Sequence, residues 1–594
     1  MALKHRRRET SLVNKIFNQT LTAYILSSVA YAIGPLVDGA VIGHYLGVDA
    51  MAAYGMSWPV ILIFSLIGGI IAGGSRNLYT EFMGHGEQEK ANRIFTDAHL
   101  ISLIFSLIMM LVTFFGADYL AGLFGAKGAI KYLRPLMSDY LIGFAIGVPA
   151  MNGAKILSSY MSIDNDGRRN IYSVICMTIT NVIADLLVIH VFNGGMFLLG
   201  FATSIGNMVY FLVLAMHFLR KRRILRFYID HLIQDTRYAK DILINGAPTG
   251  MTRVASAISG ILINHMIASA GSNIIAAYST QKSVTSLFSA TYLGVADTVW
   301  ILSSIYYGEE DKQALNQLQL VAMTIGEALV GAISIFLIVL PGSFAGIYVD
   351  FHNVEAFTYA KEAVRCLGFS LPLCLIVYSF DDYLMGTKHL HAANIYSFLL
   401  ECGVLVPTVY LMTKVFGGRG VWFALPLALG VMELIAGAYI LKYGTGEYFS
   451  SKRLLLKEGF GTEAGRELSI EADSMFEVIG MSRLAGLFCQ ENGIEGKRAT
   501  VLALCIEEMA GNIIEHGFDD GKAYTIDIRL LVKDDELILR IRDDCIPFNP
   551  LERYEMTKVQ DDPTKNMGIR MVMGLAKDVK YYSVTGTNNL IIKI

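Results

Sequence analysis

The third apolar stretch of the chain, residues 94–120, reads IFTDAHLISLIFSLIMMLVTFFGADYL. It is long enough for a helix that crosses a bilayer, because the hydrocarbon core requires about 20 apolar residues. Eleven similar stretches lie at 14–37, 54–75, 135–160, 170–192, 197–219, 243–269, 276–305, 317–341, 359–386, 393–413 and 419–442. The sequence therefore predicts an all-α polytopic membrane bundle of 12 helices.

The overall composition supports a membrane protein and argues against a nucleic-acid partner. Hydrophobic residues make up 54% of the 594 residues and charged residues only 17%, whereas soluble domains carry about 25% charged residues. The net charge of −3 is small, and basic runs interleaved with aromatic residues are missing. Seven cysteines without a CxxC pair predict reduced thiols rather than a zinc site.

Basic residues in alternate loops predict the orientation in the membrane. They are Arg76, Lys90, Arg93, Arg168, Arg169, Arg220, Lys221, Arg222, Arg223, Arg226, Lys312, Lys388, Lys452, Arg453 and Lys457. The positive-inside rule assigns that side to the cytoplasm, and the basic segment 1–13 fits the same side. We therefore expect a multi-pass protein of the plasma membrane with both termini in the cytoplasm.

The two halves of the membrane part repeat each other. Asn170-Ile171-Tyr172-Ser173 recurs as Asn394-Ile395-Tyr396-Ser397, and Ala52-Ala53-Tyr54 recurs as Ala276-Ala277-Tyr278, in both cases 224 positions later (394 − 170 = 224). A constant offset over six spans predicts two parallel six-helix lobes, an architecture common in secondary transporters. The predicted lobes are 14–219 and 243–442, joined by a cytoplasmic linker at 220–242.

Short motifs give residues 13–442 a resemblance to the multidrug and toxic compound extrusion (MATE) family. They are Asp38, Gly43, Gly47, Ala52-Ala53-Tyr54-Gly55, Gly68, Gly69, Gly73, Gly74, Gly84-His85-Gly86-Glu87-Gln88-Glu89-Lys90-Ala91-Asn92, Asn165-Asp166-Gly167-Arg168, Asn181 and Asp185. Membership would imply export of organic, often cationic, compounds across the bilayer. Entry of protons or sodium, rather than ATP, would drive that export.

Three polar residues of the first lobe are candidates for ion coupling. A carboxylate inside a membrane usually faces a partner or a wet cavity, and Asn181 and Asp185 share one helix face because they are four residues apart. The resemblance to MATE proteins implies that Asp38 joins them at one site. Two neighbouring acids could load and release a proton, and with the Asn181 amide oxygen they could instead hold sodium. A structural hydrogen-bond network is the alternative.

A soluble domain is predicted at 466–594, after a linker at 443–465. Helical periodicity covers 475–491, 497–516 and 568–577, and strand alternation covers 523–532, 536–543, 580–584 and 590–593. Glu508, Asn512 and His516 form one polar stripe on an otherwise apolar helix. The domain is thus predicted to be an α/β sandwich.

This order of elements resembles the histidine-kinase-like ATPase fold, in particular the anti-sigma-factor serine kinases. The resemblance implies that Asn512 binds Mg²⁺, that Glu508 is the catalytic base and that Asp543 accepts a hydrogen bond from adenine. Gly568 and Lys565 would approach the phosphates of ATP. The expected glycines are replaced by Cys545 and Pro547 after Asp543, and by Lys565 and Asn566 before Gly568.

Two functions remain open from the sequence. The first is a proton- or sodium-coupled exporter of small organic compounds with a cytoplasmic ATP-binding regulatory domain. The second is a membrane-anchored sensor whose tail is a serine kinase acting on a cytoplasmic protein that resembles an anti-sigma-factor antagonist. An ATP-driven pump is disfavoured because the chain lacks a GxxxxGK[ST] phosphate loop.

Overall fold

A computed structural model describes most of the chain, in two parts that contact each other. The described residues are 12–26, 38, 41–42, 45–46, 48–124, 132–164, 166–220, 223–228, 237–267, 272–349, 354–446, 453–457, 459–462, 465–472, 474–518, 524–533, 536–559, 566–584 and 586–594. The motif residues Gly43, Gly47 and Asn165, the loop arginine Arg222 and the candidate phosphate ligand Lys565 lie outside them.

The first part is entirely helical. Its first half contains α1 (12–26), α2 (Val48–Gly84), α3 (Gln88–Leu123), α4 (Arg134–Ala145), α5 (Val148–Met161), α6 (Gly167–His190) and α7 (Met196–Ala215). Its second half contains α8 (Arg237–Ile267), α9 (Ser272–Gly308), α10 (Lys312–Val339), α11 (Pro341–Tyr348), α12 (Val354–Gly386), α13 (Leu390–Phe398), α14 (Leu405–Phe416) and α15 (Gly420–Tyr443). Many large apolar side chains point outward, as expected of a surface that lipid covers.

The helix bounds confirm the internal repeat. Helices α2 and α9 are both 37 residues long, and both of their ends differ by the same offset (272 − 48 = 224; 308 − 84 = 224). The equivalent residues also touch: the Thr80 hydroxyl donates to Ser304 Oγ at 2.6 Å. At the helix ends, a Cβ atom on Gly84 would lie 3.0 Å from the Gly308 Cα. Only glycines permit this approach, so α2 and α9 meet at the boundary between the halves.

The number of membrane spans is only partly settled. Among the described residues, seven helical stretches are long and apolar enough to cross a bilayer, or eight if a bent pair counts as one span. That pair is α4 and α5, which we predicted as one span at 135–160 but which bend by 51°. The predicted span 393–413 likewise contains a π-helical turn, Leu399–Gly403. The total of 12 helices therefore stays a prediction.

The second part is the expected α/β domain, with one additional strand, β1, and one additional helix, α18, beyond those predicted. Its antiparallel sheet has the order β1-β2-β3-β5-β4, formed by β1 (Glu467–Ala472), β2 (Ile526–Lys533), β3 (Glu536–Asp543), β4 (Asp578–Val584) and β5 (Thr587–Lys593). The helices are α16 (Met475–Glu491), α17 (Gly496–Gly517), α18 (Pro550–Val559) and α19 (Met567–Leu575). Strand β1 was missed because it is short and starts directly after the presumed linker.

The sheet has two different faces. Alternate residues such as Ile528, Leu539 and Ile541 are buried in the core of the domain, together with residues of α16, α17 and α19. Strand alternation places Arg529, Arg540 and Arg542 on the opposite face. That face is also buried, because Tyr582, Val584 and Ile591 pack into the main core cluster of the membrane part.

Candidate functional site

The structure brings the three predicted coupling residues together inside the first half of the membrane part. The Asn181 side-chain amide donates to a carboxylate oxygen of Asp38 and, at 3.3 Å, to Asp185. The exposed fractions are 6% for Asp38, 5% for Asn181 and 2% for Asp185. Asp38 and Asp185 thus share one amide group as donor. Two buried carboxylates that lie this close repel each other when both are ionised, so the arrangement suits a proton held by the pair.

A cavity of about 220 Å³ opens beside this site. Its lining residues are mostly aromatic, apolar or weakly polar: Tyr54, Ile61, Leu62, Ser65, Tyr140, Phe144, Met151, Met177, Thr178, Thr203 and Asn207, with Asp38 and Asn181 at the acid site. Arg253 of α8 is the lining residue that comes from the second half. The cavity therefore touches both halves and holds charges of both signs.

The acid site has no equivalent in the second half. The positions 224 residues later than Asp38, Asn181 and Asp185 are Leu262, Leu405 and Val409. Apolar side chains cannot bind a cation or a proton, so the repeat has diverged in chemistry while keeping its helices.

A second candidate site lies between α17 and the sheet of the α/β domain. A pocket of about 200 Å³ is lined by Asn512 and His516 of the predicted stripe, by Asp543, and by apolar groups including Ile546, Phe548 and Leu590. Asp543 is 4% exposed and accepts hydrogen bonds from the Cys545 backbone N–H at 2.9 Å and from Asn588 at 2.7 Å. Burial raises the pKa of Asp543, although these hydrogen bonds oppose the increase. A buried carboxyl group among apolar walls fits a planar base such as adenine.

One turn of α17 before Asn512, Glu508 contacts the turn at which α19 begins. Asn566 precedes the helix in the left-handed conformation, with φ of 54°, which asparagine tolerates better than most residues. The turn brings Gly568 into contact with Glu508. A Cβ atom at Gly568 would lie only 1.8 Å from Glu508 Oε2. Glu508 and Gly568 are thus neighbours, and a helix N-terminus suits phosphate groups.

The domain is held to the membrane part by a buried cluster of opposite charges that sequence analysis missed. Glu309, in the short loop between α9 and α10, has a fully buried side chain and pairs with Arg542. Its carboxylate also lies 3.4 Å from Arg540 and accepts a hydrogen bond from the Tyr582 hydroxyl at 2.7 Å. Asp311 of the same loop lies 3.0 Å from Arg529. The available signal was three arginines on one face of otherwise apolar strands.

A further contact links the domain to the first helix. Lys15 of α1 pairs with Asp544, the residue next to Asp543 in the nucleotide site, and lies over the ring of Tyr524 at 5.9 Å. Leu12 and Val13 of α1 line one small crevice together with Asp311, Arg529 and Arg542. The start of α1 is therefore packed beside the nucleotide pocket.

One charge inside the helical part differs from its predicted place, and another was not predicted. Arg76, which we assigned to the second loop, lies within α2, is 5% exposed and pairs with Asp297 at 3.3 Å. Asp381 was not singled out; it is 3% exposed and accepts hydrogen bonds from Ser397 at 2.8 and 3.0 Å. These pairs resemble structural anchors, because each acid has a partner from another helix.

The structure combines a helical membrane part with an α/β domain, and comparison with known proteins gives the families of both. Residues 23–187 match the MatE family, and residues 477–594 match the histidine kinase-like ATPase domain. The chain therefore joins a MATE transporter part to a C-terminal histidine kinase-like ATPase domain.

Curated relatives and solved structures agree over the membrane part. The multidrug export protein MepA of Staphylococcus saprophyticus is 23% identical over 398 residues, covering 66% of this chain and 86% of MepA. The probable multidrug resistance protein YoeA of Bacillus subtilis is 23% identical over 443 residues, covering 70% and 91%. A structure of MATE in complex with MaL6 aligns with a TM-score of 0.67 at 19% identity, covering 72% of this chain and 95% of that one.

Proposed function

We propose that this protein is a secondary active exporter of organic compounds, some of them cationic, that is driven by entry of protons or sodium and regulated by its ATPase-like domain. The observation that carries the proposal is the buried Asp38–Asn181–Asp185 site beside a cavity that touches both halves. The similarity of the chain to MepA, a multidrug export protein, and to YoeA, a probable multidrug resistance protein, supports the same activity.

Protons are the favoured coupling ion. A proton on one of the two buried carboxyl groups that share the Asn181 amide would remove their repulsion, and binding of a cation in its place would release that proton. Sodium would need the Asn181 oxygen and both carboxylates as ligands. Proton coupling requires a proton gradient and sodium coupling requires a sodium gradient, so a transport assay under each gradient distinguishes the two ions.

The regulatory role rests on the contacts of the ATPase-like domain. Its nucleotide pocket adjoins Asp544, which pairs with Lys15 of α1, while its outer sheet face pairs with Glu309 and Asp311 of the second half. Binding of ATP and Mg²⁺ at Asn512 and Asp543 would therefore be sensed by helices of both halves. We place these contacts, and both termini, on the cytoplasmic side of the plasma membrane, as the loop charges predict.

The decisive experiment is dye efflux from cells that lack other exporters, comparing the native chain with Asp38→Asn at matched expression. Asp118→Asn is the control, because Asp118 is 72% exposed and pairs only with Arg134 among the described residues. We expect efflux to be lost in Asp38→Asn and kept in Asp118→Asn. Efflux that persists in Asp38→Asn, under either a proton or a sodium gradient, would refute ion coupling at this site.

A specific observation also favours a second function, phosphoryl transfer to a protein. Glu508 lies against Gly568 at the start of α19, where the helix N-terminus would hold phosphates and where a catalytic base must be. The chain would then be a membrane sensor whose tail phosphorylates a serine of a cytoplasmic partner resembling an anti-sigma-factor antagonist. No efflux of any dye, together with phosphorylation that Glu508→Gln abolishes while ATP still binds, would establish this function instead.

A further inference from the structure

A cleft of about 400 Å³ lies between the ATPase-like domain and the membrane part, apart from both the acid site and the nucleotide pocket. Strands β2, β3, β4 and β5 form its floor, and the loops that follow α2 and α9, at Gly84 and Gly308, form its roof. Gly461 and Thr462, which precede the first strand of the domain, also line it. A molecule in this cleft would therefore touch both halves of the membrane part and the domain at once.

The register of the sheet fixes the positions of the side chains on the floor of the cleft. Ile591 of β5 pairs with Arg540 of β3 on one side and with Lys580 of β4 on the other. Neighbouring strands are about 4.8 Å apart, which places the Cα atoms of Arg540 and Lys580 about 10 Å apart on either side of Ile591. The next row along the same face carries Leu531 and Ile538. The floor thus has a basic end that adjoins an apolar area.

The carboxylates that line the cleft are matched by cations, whereas Lys580 is not matched by a carboxylate. The ion pairs of the lining are Glu87–Lys90, Glu310–Lys533, Glu536–Lys593 and Glu309 with both Arg540 and Arg542. The Lys580 ammonium group instead donates to the His85 carbonyl at 3.2 Å, and among the described residues no carboxylate lies within ion-pair distance of it.

The other cation of this row also has unused hydrogen-bonding capacity. Arg540 is buried, and its Nε–H group has no hydrogen-bond partner in the part of the chain that the structure describes. A buried donor without an acceptor is unfavourable. The basic end of the cleft therefore has one unbalanced cation and one unused donor, and an anion placed there would satisfy both.

We propose that this cleft binds a small organic phosphate, with its phosphate group between Lys580 and Arg540 and its apolar part on Ile538 and Leu531. Arginine and lysine are the usual partners of phosphate groups in proteins. The volume lies within the range of small-molecule sites, about 300–1,000 Å³, and such sites combine apolar walls with a few polar groups. A cytoplasmic solute and an anionic lipid headgroup both offer this chemistry, and the test separates these two sources.

The proposed ligand would strengthen docking of the domain. A molecule that binds only the docked arrangement stabilises that arrangement by mass action, and the lining of this cleft exists only when the sheet lies on the two loops. Because the nucleotide pocket lies on the other face of the sheet, the effect would be independent of ATP. The inference depends neither on ATP binding nor on the export activity.

The test uses the full chain in phosphatidylcholine nanodiscs and three probes, phenyl phosphate, inorganic phosphate and benzyl alcohol. Binding is measured by isothermal titration calorimetry with the native chain, Lys580→Gln, Lys580→Arg and the control Lys497→Gln. Glutamine keeps the Cβ and Cγ atoms of Lys580 that lie against Gly86, so the first variant removes the charge and preserves this packing. Lys497 is an exposed lysine in the first turn of α17, which packs on the other face of the sheet.

We expect the native chain to bind phenyl phosphate and Lys580→Gln to bind it about tenfold or more weakly, the loss expected for a charged hydrogen bond. Inorganic phosphate, which lacks the apolar part, should bind more weakly but with the same dependence on Lys580. Benzyl alcohol, which lacks the charge, should show no such dependence. Lys580→Arg should retain most of the affinity for phenyl phosphate, and Lys497→Gln should match the native chain.

Three results would overturn the inference. They are absence of saturable binding of phenyl phosphate, equal affinities of the native chain and Lys580→Gln, and an equal loss of affinity in Lys497→Gln. Binding that Gly568→Ala abolishes and Lys580→Gln leaves unchanged would place the probe in the nucleotide pocket and would also refute it. If the probe binds as expected but does not raise the urea concentration needed to undock the domain, the proposed link to docking is wrong.

Nanodiscs that contain phosphatidylglycerol separate the two sources of the phosphate group. If a lipid headgroup occupies the cleft, phosphatidylglycerol should compete with phenyl phosphate in the native chain and should not do so in Lys580→Gln. If the ligand is a cytoplasmic solute, phosphatidylglycerol should change the affinities of both chains by the same factor, through the surface charge of the bilayer alone. Either result supports a phosphate site at Lys580 and identifies its source.

Discussion

Removing the charge of Glu309 should release the ATPase-like domain from the membrane part. The side chain of Glu309 is fully buried, and its partners Arg542 and Arg540 are only 4% and 7% exposed. Breaking a buried ion pair by neutralising one member costs about 3–5 kcal/mol, because the other charge stays buried. Asp311, 3.7 Å from Arg542, supplies part of the missing charge. We therefore expect Glu309→Gln to weaken docking by about 3 kcal/mol, a factor of about a hundred.

Docking can be measured on the full chain in nanodiscs by energy transfer between a donor on the outer face of α16 and an acceptor on the membrane part. A urea titration then gives the free energy of undocking by linear extrapolation. The matched control is Glu536→Gln, which removes the partner of Lys593 in the same sheet. That pair is 42% and 35% exposed, so its loss should cost less than about 1 kcal/mol.

Equal effects of Glu309→Gln and Glu536→Gln would refute the claim that the buried cluster holds the domain. A double variant, Glu309→Gln with Arg542→Gln, sharpens the test. Because the two groups are in contact, their effects should not add, and the double variant should be more stable than the sum of the two single changes predicts. Strict additivity would mean that the pair contributes nothing as a pair.

Other predictions concern the nucleotide pocket and pH. Gly568→Ala should lower ATP affinity at least about tenfold. The domain should lose little stability, because the new methyl group displaces only the flexible end of the Glu508 side chain. Unchanged affinity in a calorimetric titration would contradict the proposal that Gly568 approaches the phosphates of ATP. Asp543→Asn should weaken ATP binding about 10- to 100-fold, the loss expected for a charged hydrogen-bond acceptor. The control Glu536→Gln should bind ATP as the native chain does. Equal ATP affinities of the two variants would exclude Asp543 from the adenine site. Burial would raise the pKa of Asp311, but Arg529 and Arg542 outweigh it and the pKa is lowered. A carboxyl group whose pKa is lowered in the docked state stabilises that state above its unfolded pKa of about 3.9, and this stabilisation is lost as pH falls through the lowered pKa. Titration of Asp311 should therefore leave the energy-transfer signal constant from about pH 5 to 8 and reduce it only below about pH 4. A transition near pH 6 that Asp311→Asn removes would contradict this prediction.

Local patterns in the sequence were sufficient for the parts of the structure that depend on them. The offset of 224 residues predicted the matching helices α2 and α9, because a repeat preserves both helix length and packing. The four-residue spacings of Asn181 with Asp185, and of Asn512 with His516, predicted shared helix faces, and the structure places each pair at one site.

The features that sequence analysis missed depend on contacts between distant segments. Arg76 appeared to be a loop charge, because its partner Asp297 is 221 positions away and hydropathy cannot reveal the pairing. The arginines of β2 and β3 follow the alternation of an ordinary strand with one polar face. This pattern does not reveal that the loop containing Glu309 packs against them. The bend between α4 and α5 was hidden because both segments are apolar and of average length.

The position where α2 meets α9 has a consequence for the assembly of the whole chain. The sheet reaches across that junction: Lys580 donates to the carbonyl of His85 at 3.2 Å on one side, while Arg542 holds Glu309 on the other. The near-twofold relation of the two halves passes through this point, yet a single domain has no such symmetry. The ATPase-like domain therefore contacts the equivalent positions of both halves at once and bridges the boundary between them. No equivalent surface is left there for a second copy of the domain. Any motion that parts the two halves on this side must therefore strain or break one of these two sets of contacts.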